Sequence, residues 1–263
     1  ELDNDYGFTQ IFKTACEMSN TARATVYRGY ADEWSRIWNL KLREHKIDIE
    51  RAMLFGQRAQ VGGVNYTEGV VGHIIAEGAA PVADTTQLSY SEGKAYHKSI
   101  ASGSMTYDNF LSDLEVVFDP ARGGSSSKLA LCSLPVISLF NKLGDGAFVD
   151  ASMGHSSNPY SYTMDSSKNA FGHKVMKIET VHGDLSLVKE PLFRGLSSTF
   201  MALVDLDHVS YRPLVGNGVN RDTAITTNVQ QADEDLRKDL ILTEAGLEIT
   251  LPETHALFNI EGA

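Results

Sequence analysis

The chain has 263 residues, of which 42% are hydrophobic and 22% are charged, a composition typical of a globular protein with one elaborated domain or two smaller ones. Its formal net charge of -11, with no Lys/Arg cluster in the sequence, argues against a surface that binds nucleic acid or anionic membrane tightly. The two cysteines, Cys16 and Cys132, lie in separate apolar stretches, so we predict free buried thiols and exclude a cysteine-based zinc site.

Residues 7–28 are rich in β-favouring side chains and predict extended chain that is interrupted at Ser19-Asn20. This stretch has too few apolar residues to form a core alone, so we expect a ribbon that packs against something else. The chain begins at Glu1 without Met, which we interpret as a processed or truncated form, and its first residues predict no signal peptide.

Residues 32–54 predict one long amphipathic helix of about 35 Å, around which the rest of the chain is organised. Asp32 is the predicted N-cap, and Gly56 is the predicted stop after the helix. The main apolar stripe consists of Trp34, Ile37, Trp38, Leu42, His45, Ile49, Ala52 and Met53. A second, thinner stripe of Leu40, Ile47 and Leu54 lies on the opposite side. Two stripes predict a strut that is contacted from two sides, one of them by another subunit.

The glycine-rich residues 57–78 predict a loop with short ordered pieces. Its Gly62-Gly63 pair is not followed by the Gly-Lys-Ser/Thr of a phosphate-binding loop, so we assign no phosphate site to it. Further along, Thr106 or Asp108 caps a predicted helix that Pro120 closes.

The middle of the chain is predicted to hold one more helix between two irregular stretches. Residues 121–128 predict a Gly/Ser linker, and residues 129–143 predict a buried helix that ends at Gly144. The longest nearly apolar run, 129–140, is too short to span a bilayer. Residues 150–172 predict a long exposed loop, and such loops usually serve function or interaction.

The C-terminal third is predicted to be mostly strand. Residues 174–181 alternate between apolar and charged side chains, and a turn at 182–184 leads to a hairpin partner at 185–188. Further predicted strands cover 200–211, 240–243, 247–251 and 255–260.

Few side chains form a pattern that is typical of catalysis or of metal binding. Asp205, Asp207 and His208 form the best metal-like cluster, because carboxylates and an imidazole so close in sequence can share a cation. In a strand, however, His208 would point away from the two acids, and solvated acids at a strand end explain the same residues. His45 lies on the main helix stripe, where we predict a hydrogen-bonded packing residue. We therefore predict no catalytic, cofactor-binding or metal-binding residue.

Several segments carry a resemblance to a known family. They are TQIF at 9–12, TA at 21–22, EHKIDIERA at 44–52, the hairpin at 175–188, ALVDLD at 202–207 and the ending at 246–256. Their content and order resemble the major capsid proteins of tailed bacteriophages with the Hong Kong 97 fold, in particular the SU-ten-like major head protein group. Each motif is structural and loose, and the conjunction across most of the chain carries the resemblance.

The resemblance implies an α+β capsid fold with four parts. Residues 1–30 would belong to an extended loop that reaches a neighbouring subunit, and residues 31–100 to a peripheral domain that contains the spine helix 32–54. Residues 101–200 would form mainly the axial domain, and residues 201–263 would supply strands that return to the peripheral domain. The resemblance also implies more N-terminal arm than this chain carries.

The implied function is that of a major head protein that self-assembles into an icosahedral shell around a DNA genome. Expected partners are further copies in hexamers and pentamers, portal, scaffold and cement proteins, and double-stranded DNA through weak non-specific contacts. No membrane partner and no cofactor are expected, and the expected location is the virion, after assembly in the bacterial cytoplasm. A container whose lining is acidic holds its DNA only weakly, which suits packaging and release.

Two competing hypotheses stay open at this point. The first is an α+β hydrolase that uses a cation at Asp205, Asp207 and His208. The second is another virion component, such as a decoration or tail protein. Shells in electron micrographs would favour the capsid hypothesis, and a monomer with metal-dependent turnover would favour the hydrolase.

Overall fold

The computed structural model describes residues 6–26, 28–29, 32–77, 95–101, 103–142, 164–170 and 173–261. The chain divides into two compact units. Unit 1 comprises Glu1–Gly72 and Tyr211–Glu248, and unit 2 comprises His73–Ser210 and Ile249–Ala263. None of the described helices combines the length and the apolarity that crossing a bilayer requires.

The described helices are α1 (Asn20–Ala24), α2 (Glu33–Phe55), α3 (Val70–Glu77), α4 (Tyr107–Val117) and α5 (134–142). The described strands are β1 (Gln10–Ser19), β2 (Ala59–Val61), β3 (Val64–Tyr66), β4 (Tyr96–Ile100), β5 (Ser127–Cys132), β6 (Met164–Ala170), β7 (His173–Glu179), β8 (Asp184–Lys189), β9 (Phe200–Val204), β10 (Val209–Pro213), β11 (Val215–Gly216), β12 (Val219–Asn220), β13 (Ala224–Thr226), β14 (Leu236–Ile249) and β15 (Ala256–Ile260).

The sheet of unit 1 has the order β1-β14-β10, and β13 also pairs with β14. β1 runs antiparallel along β14 in one unbroken register, from Gln10 opposite Ala245 to Ser19 opposite Leu236. Phe12, Cys16 and Met18 alternate on the buried face of β1. The ribbon predicted at 7–28 packs against another element, as expected, and for residues 10–19 that element is β14 of the same chain. A contact between the ribbon and a neighbouring subunit stays a prediction.

The long helix forms as predicted. The Asp32 side chain accepts a hydrogen bond from the Trp34 amide at 3.1 Å, which satisfies one of the free N–H groups of the first turn. At the other end, the Gly56 amide donates to the Ala52 carbonyl at 2.9 Å. Both predicted caps are confirmed.

The glycine-rich stretch after α2 is more ordered than predicted, because β2 and β3 form a hairpin and α3 follows. Glycines allow the backbones at this junction to touch. A Cβ atom at Gly56 would overlap the Ala52 and Thr67 carbonyl oxygens, and one at Gly72 would overlap the Gly56 carbonyl oxygen. Close backbone approach, and not loop flexibility, explains these glycines.

Unit 2 is built on a mixed seven-stranded sheet in the order β4-β15-β9-β5-β8-β7-β6. β4 and β15 are parallel, as are β5 and β8, and the remaining neighbours are antiparallel. Helix α4 starts at its predicted cap, Thr106, whose side chain accepts a hydrogen bond from the Asn109 amide. Phe110 of α4 stacks edge-on against Phe140 of α5 and Phe258 of β15, so both helices share one core with the sheet.

The buried helix predicted at 129–143 is wrong in its first part, because residues 127–132 form β5 and the helix covers only 134–142. Lys128, Ala130 and Cys132 alternate on the buried side of β5. A lysine at a core position hides the period-two pattern that identifies a strand. The predicted stop at Gly144 lies outside the described residues.

Other sequence-based elements differ in extent. The loop predicted at 150–172 contains β6, a polar edge strand that lacks an apolar alternation, and its remaining residues lie outside the described ones. The linker at 121–128 contains a 3-10 turn at Pro120–Arg122 and the start of β5.

The strands of the C-terminal third are partly as predicted. The strand at 200–211 is two strands, β9 and β10, separated by a 3-10 turn. The strands at 240–243 and 247–251 are one long strand, β14. The predicted hairpin of β7 and β8 and the final strand β15 are confirmed.

Candidate assembly surfaces

Exposed large apolar side chains in unit 1 are concentrated in residues 211–229, which lead from β10 to β14. The group consists of Tyr211, Leu214, Val215, Val219, Ile225 and Val229. Single exposed apolar residues are ordinary on any protein, whereas a dense group of them marks an interaction surface. We call residues 211–229 the apolar segment.

The apolar segment is held in one conformation by β14. Its β11-β12 hairpin turns at Asn217 and Gly218, whose positive φ angles of 51° and 77° are those of a tight type I′ turn. The Leu214 amide donates to the Glu244 carbonyl at 2.9 Å, and the Glu244 amide donates to the Arg221 carbonyl at 2.9 Å. The Arg221 and Glu244 side chains also form an ion pair. A surface ordered in advance loses less conformational entropy when a partner binds.

A second exposed apolar group lies on the β2-β3 hairpin. Val61, Val64 and Tyr66 are all exposed there, and the turn between the strands has two glycines with positive φ. This hairpin belongs to unit 1, as does the apolar segment.

Helix α2 shows only part of the predicted second stripe at its surface. Leu40 and Ile47 are 43% and 41% exposed, whereas Leu54 is buried. Three ion pairs between residues three apart, Glu33–Arg36, Lys41–Glu44 and Asp48–Arg51, flank the stripes. A contact between another subunit and Leu40 or Ile47 stays a prediction.

In unit 2, exposed apolar side chains stand on turns and on helices. Leu196 is fully exposed on a one-turn 3-10 helix, Gly195–Ser197, in which the Ser198 amide donates to the Gly195 carbonyl. Val181 and Leu206 are exposed on the β7-β8 turn and on the turn after β9. Ile75 of α3 and Leu134 of α5 are about half exposed.

His45 is the hydrogen-bonded packing residue that the sequence predicts. Its ring is buried between α2 and the sheet, with Nδ1 at 2.9 Å from the Thr14 hydroxyl and Nε2 at 2.9 Å from the Thr243 hydroxyl. Burial lowers the pKa of His45 below its ordinary value. The ring thus ties α2 to β1 and β14.

The structure does not bring Asp205, Asp207 and His208 together as ligands. The Asp205 carboxylate is buried and accepts hydrogen bonds from the amides of Ser125, at 2.7 Å, and Asp207, at 3.2 Å. His208 Nδ1 lies 3.3 Å from the Thr250 hydroxyl, away from the acids. In the part of the chain that the structure describes, no group of three or more His, Cys, Asp or Glu residues could hold a metal ion. The expectation of solvated strand-end acids is wrong for Asp205.

Sequence reasoning missed the partner of Asp205, which is Lys128. The Lys128 side chain is 0% exposed, and its Nζ lies 3.4 Å from Asp205 Oδ2 and 2.8 Å from the Thr254 carbonyl oxygen. Burial lowers the pKa of Lys128, and Asp205 opposes that shift. Burial raises the pKa of Asp205, but the amide hydrogen bonds and the Lys128 charge outweigh it and lower that pKa below its usual value. This buried ion pair connects β5 to the end of β9 inside unit 2.

The two cysteines are buried and free, as predicted. Burial raises the pKa of both thiols, so neither is a reactive thiolate at neutral pH. They add packing and no chemistry.

Comparison with known proteins gives a family and a fold. A family described as SU10 major capsid protein matches residues 3–261 of the chain. No curated protein sequence matches it.

Three similar solved structures are of phage proteins. The mature capsid of bacteriophage PhiM1 is 14% identical, with a TM-score of 0.57 over 100% of this chain and 77% of the other. The capsid of cyanophage A-1(L) is 11% identical, with a TM-score of 0.58 over 95% and 77%. A structure from Mycobacterium phage Patience is 15% identical, with a TM-score of 0.54 over 98% and 72%. At such identities these similarities show the fold.

Proposed function

Since this chain belongs to the SU10 major capsid protein family, and is therefore a structural subunit of a phage head shell and not an enzyme, we propose that its copies pack as hexamers and pentamers through the exposed apolar surfaces of unit 1. The competing hypotheses of a hydrolase and of a decoration or tail protein are wrong, because the family is one of major capsid proteins. The location of the protein is the capsid shell of the virion.

The observation that carries the proposal is the order of the apolar segment. Val215 and Val219 stand on the β11-β12 hairpin, and the residues that flank this hairpin, Leu214 and Arg221, are joined to Glu244 by backbone hydrogen bonds and an ion pair. Leaving such side chains in water is unfavourable by about 25 cal/mol for each Å² of apolar area. Contact with a neighbouring copy removes that area from water, and closed symmetry repeats the gain at every equivalent contact.

The four-part division of the chain is also a proposal. We assign residues 1–30 to an extended loop, 31–100 to the peripheral domain, 101–200 mainly to the axial domain and 201–263 to the returning strands. Two features support it: α2 packs on the sheet that contains β14, and α4 and α5 share the core of the seven-stranded sheet.

The remaining proposed partners are DNA and the other proteins of a phage head. The net charge of -11 supports weak, non-specific contact with encapsidated double-stranded DNA. Portal, scaffold and cement proteins complete the proposed set of partners.

The test uses size-exclusion chromatography and negative-stain electron microscopy of the purified protein. We expect shells or capsomers for the parent chain. The double variant Val215→Lys/Val219→Lys changes two exposed side chains, so the subunit should stay folded while assembly is reduced. Val181→Lys, at a still more exposed valine in unit 2, is the control. Normal assembly of the double variant would place the contact surface elsewhere.

A further inference from the structure

His255 occupies the junction between two strands of unit 2. It lies between the 3-10 turn Pro252–Thr254 and β15, and its ring is 1% exposed. Its Nδ1 accepts a hydrogen bond from the Asp205 amide at 3.2 Å, so the ring connects the start of β15 to the end of β9. We call this hydrogen bond the His255 latch.

The latch fixes the protonation state of the ring. Because Nδ1 is an acceptor, the neutral ring carries its proton on Nε2. That Nε2 atom is buried and has no hydrogen-bond partner among the described residues. A second proton can bind only at Nδ1, where it would face the Asp205 N–H, so protonation and the latch exclude each other.

The charges around the ring oppose protonation further. Lys128 from β5, His73 from α3 and His208 from the turn after β9 disfavour a positive ring, and Asp205 alone favours it. On the β4 side, the Tyr96 amide donates to the His255 carbonyl, and the Tyr96 hydroxyl bonds to Asp113, which is paired with Lys98. Burial, followed by the Lys128 charge, lowers the pKa of His255 to about 4.

His45 in unit 1 differs from His255 in its hydrogen-bond partners. Both His45 nitrogens face threonine hydroxyls, and a hydroxyl can rotate to accept or to donate. A protonated His45 could therefore donate to Thr14 and Thr243 without losing a hydrogen bond. The same proton on His255 breaks the Asp205 hydrogen bond and places a second cation beside Lys128.

We propose that His255 is an acid-sensitive switch, whose protonation releases the start of β15 from the end of β9. The released ring reaches water, where its pKa returns to the ordinary value of about 6.5. The folded pKa is the lower one, so the latch has its full stability above about pH 6.5 and loses it as the pH falls toward about 4. This inference goes beyond shell formation and needs only the fold of unit 2.

The test is hydrogen exchange of the full chain at pH 7 and pH 5, corrected for the intrinsic pH dependence of exchange. With pKa values of about 6.5 open and about 4 closed, the opening constant should rise on the order of 20-fold between these pH values. The rise should be confined to peptides that contain Asp205 or residues 254–257.

Two variants make the test specific. His255→Asn keeps an oxygen acceptor for the Asp205 amide but cannot titrate, so its opening constant should not respond to pH. His45→Asn, the matched change in unit 1, should leave the rise in unit 2 intact. An equal rise in His255→Asn, or no rise in the parent, overturns the proposal.

A measurement on the parent covers the case in which His255→Asn fails to fold. Nitrogen NMR of the imidazole rings reports both pKa and tautomer. A buried ring with its proton on Nε2 and a pKa near 4 supports the switch, whereas a proton on Nδ1, or a pKa near 6.5, overturns it.

Discussion

The two units surround their buried histidines with different groups. Unit 1 buries His45 between threonine hydroxyls, which exchange donor and acceptor roles at little cost. Unit 2 buries His255 against the Asp205 amide and beside the fully buried ion pair of Lys128 with Asp205. Burial alone therefore does not decide how a group responds to mutation or pH. What decides it is whether the neighbouring groups can adapt.

The largest expected effect breaks the charged arrangement of unit 2. Asp205→Ala leaves the Lys128 ammonium buried without its counter-ion, which should cost about 3–5 kcal/mol of unfolding free energy. Asp207→Ala, at an exposed acid two residues on, is the control and should cost about 0.5 kcal/mol or less. Urea unfolding measures both. A chelator should change neither curve, and a chelator-sensitive loss in the parent would argue for a metal at Asp205.

The next largest effect tests whether the stability of unit 1 depends on close backbone packing at its glycines. Gly72→Ala forces a methyl group onto the Gly56 carbonyl oxygen, and the backbone must shift, at a cost of roughly 1–3 kcal/mol. Gly216→Ala is matched, since a Cβ there meets nothing within 4 Å. Thermal unfolding of the two variants should differ clearly. Equal melting temperatures would show that the junction adapts to the methyl group.

A smaller effect is expected when one ring nitrogen of His45 loses its hydrogen-bond partner and so resembles Nε2 of His255. Thr243→Val removes the hydroxyl that faces Nε2, leaving one ring nitrogen buried without that partner, at a cost of about 1–2 kcal/mol at pH 7. Burial already lowers the pKa of His45, and loss of the Thr243 hydroxyl should lower it further, so unit 1 of the variant should be more acid-sensitive than unit 1 of the parent below about pH 6.5. Hydrogen exchange of peptides from α2 would detect the difference. Equal acid sensitivity in the variant and the parent would show that the adaptable hydroxyls do not protect unit 1.

The smallest effect on the subunit concerns the surface of α2. Leu40→Gln with Ile47→Gln should change the unfolding free energy by only about 0.5 kcal/mol, because both residues are on the surface, at 43% and 41% exposed, and touch no special feature of the fold. We expect reduced assembly in light scattering at the same protein concentration. Assembly at the parental rate would show that this stripe meets no other subunit.

The sequence predicted what depends on local pattern. Asp32, Gly56 and Thr106 are caps, and the hairpin of β7 and β8 follows from alternation around a turn. His45 was placed correctly because a histidine on an apolar stripe usually finds hydrogen bonds. The caps and the hairpin involve neighbours within a few residues. The partners of His45, Thr14 and Thr243, are distant in sequence, so the sequence predicted that the ring is hydrogen-bonded but not by which residues.

Features that depend on distant partners were missed. β5 was hidden because Lys128 counts as polar until Asp205 is known to face it. The support for β1 was missed because its partner, β14, lies near the other end of the chain. The latch could not be found either, since nothing near His255 in sequence shows that its ring meets the Asp205 amide. The available signal for the burial of Lys128 was its position directly before the apolar run at 129–132.

The pairing of β1 with β14 has a consequence for the nascent chain. β1 is made before its partner strand, and the interval between the synthesis of Gln10 and that of Ala245 is roughly 10–45 s at 5–20 residues per second. During that interval the apolar face of β1, with Phe12 and Met18, has no native strand to cover it. Contacts so distant in sequence also slow folding itself. The newly made subunit is therefore exposed to aggregation through β1 until β14 has been synthesised.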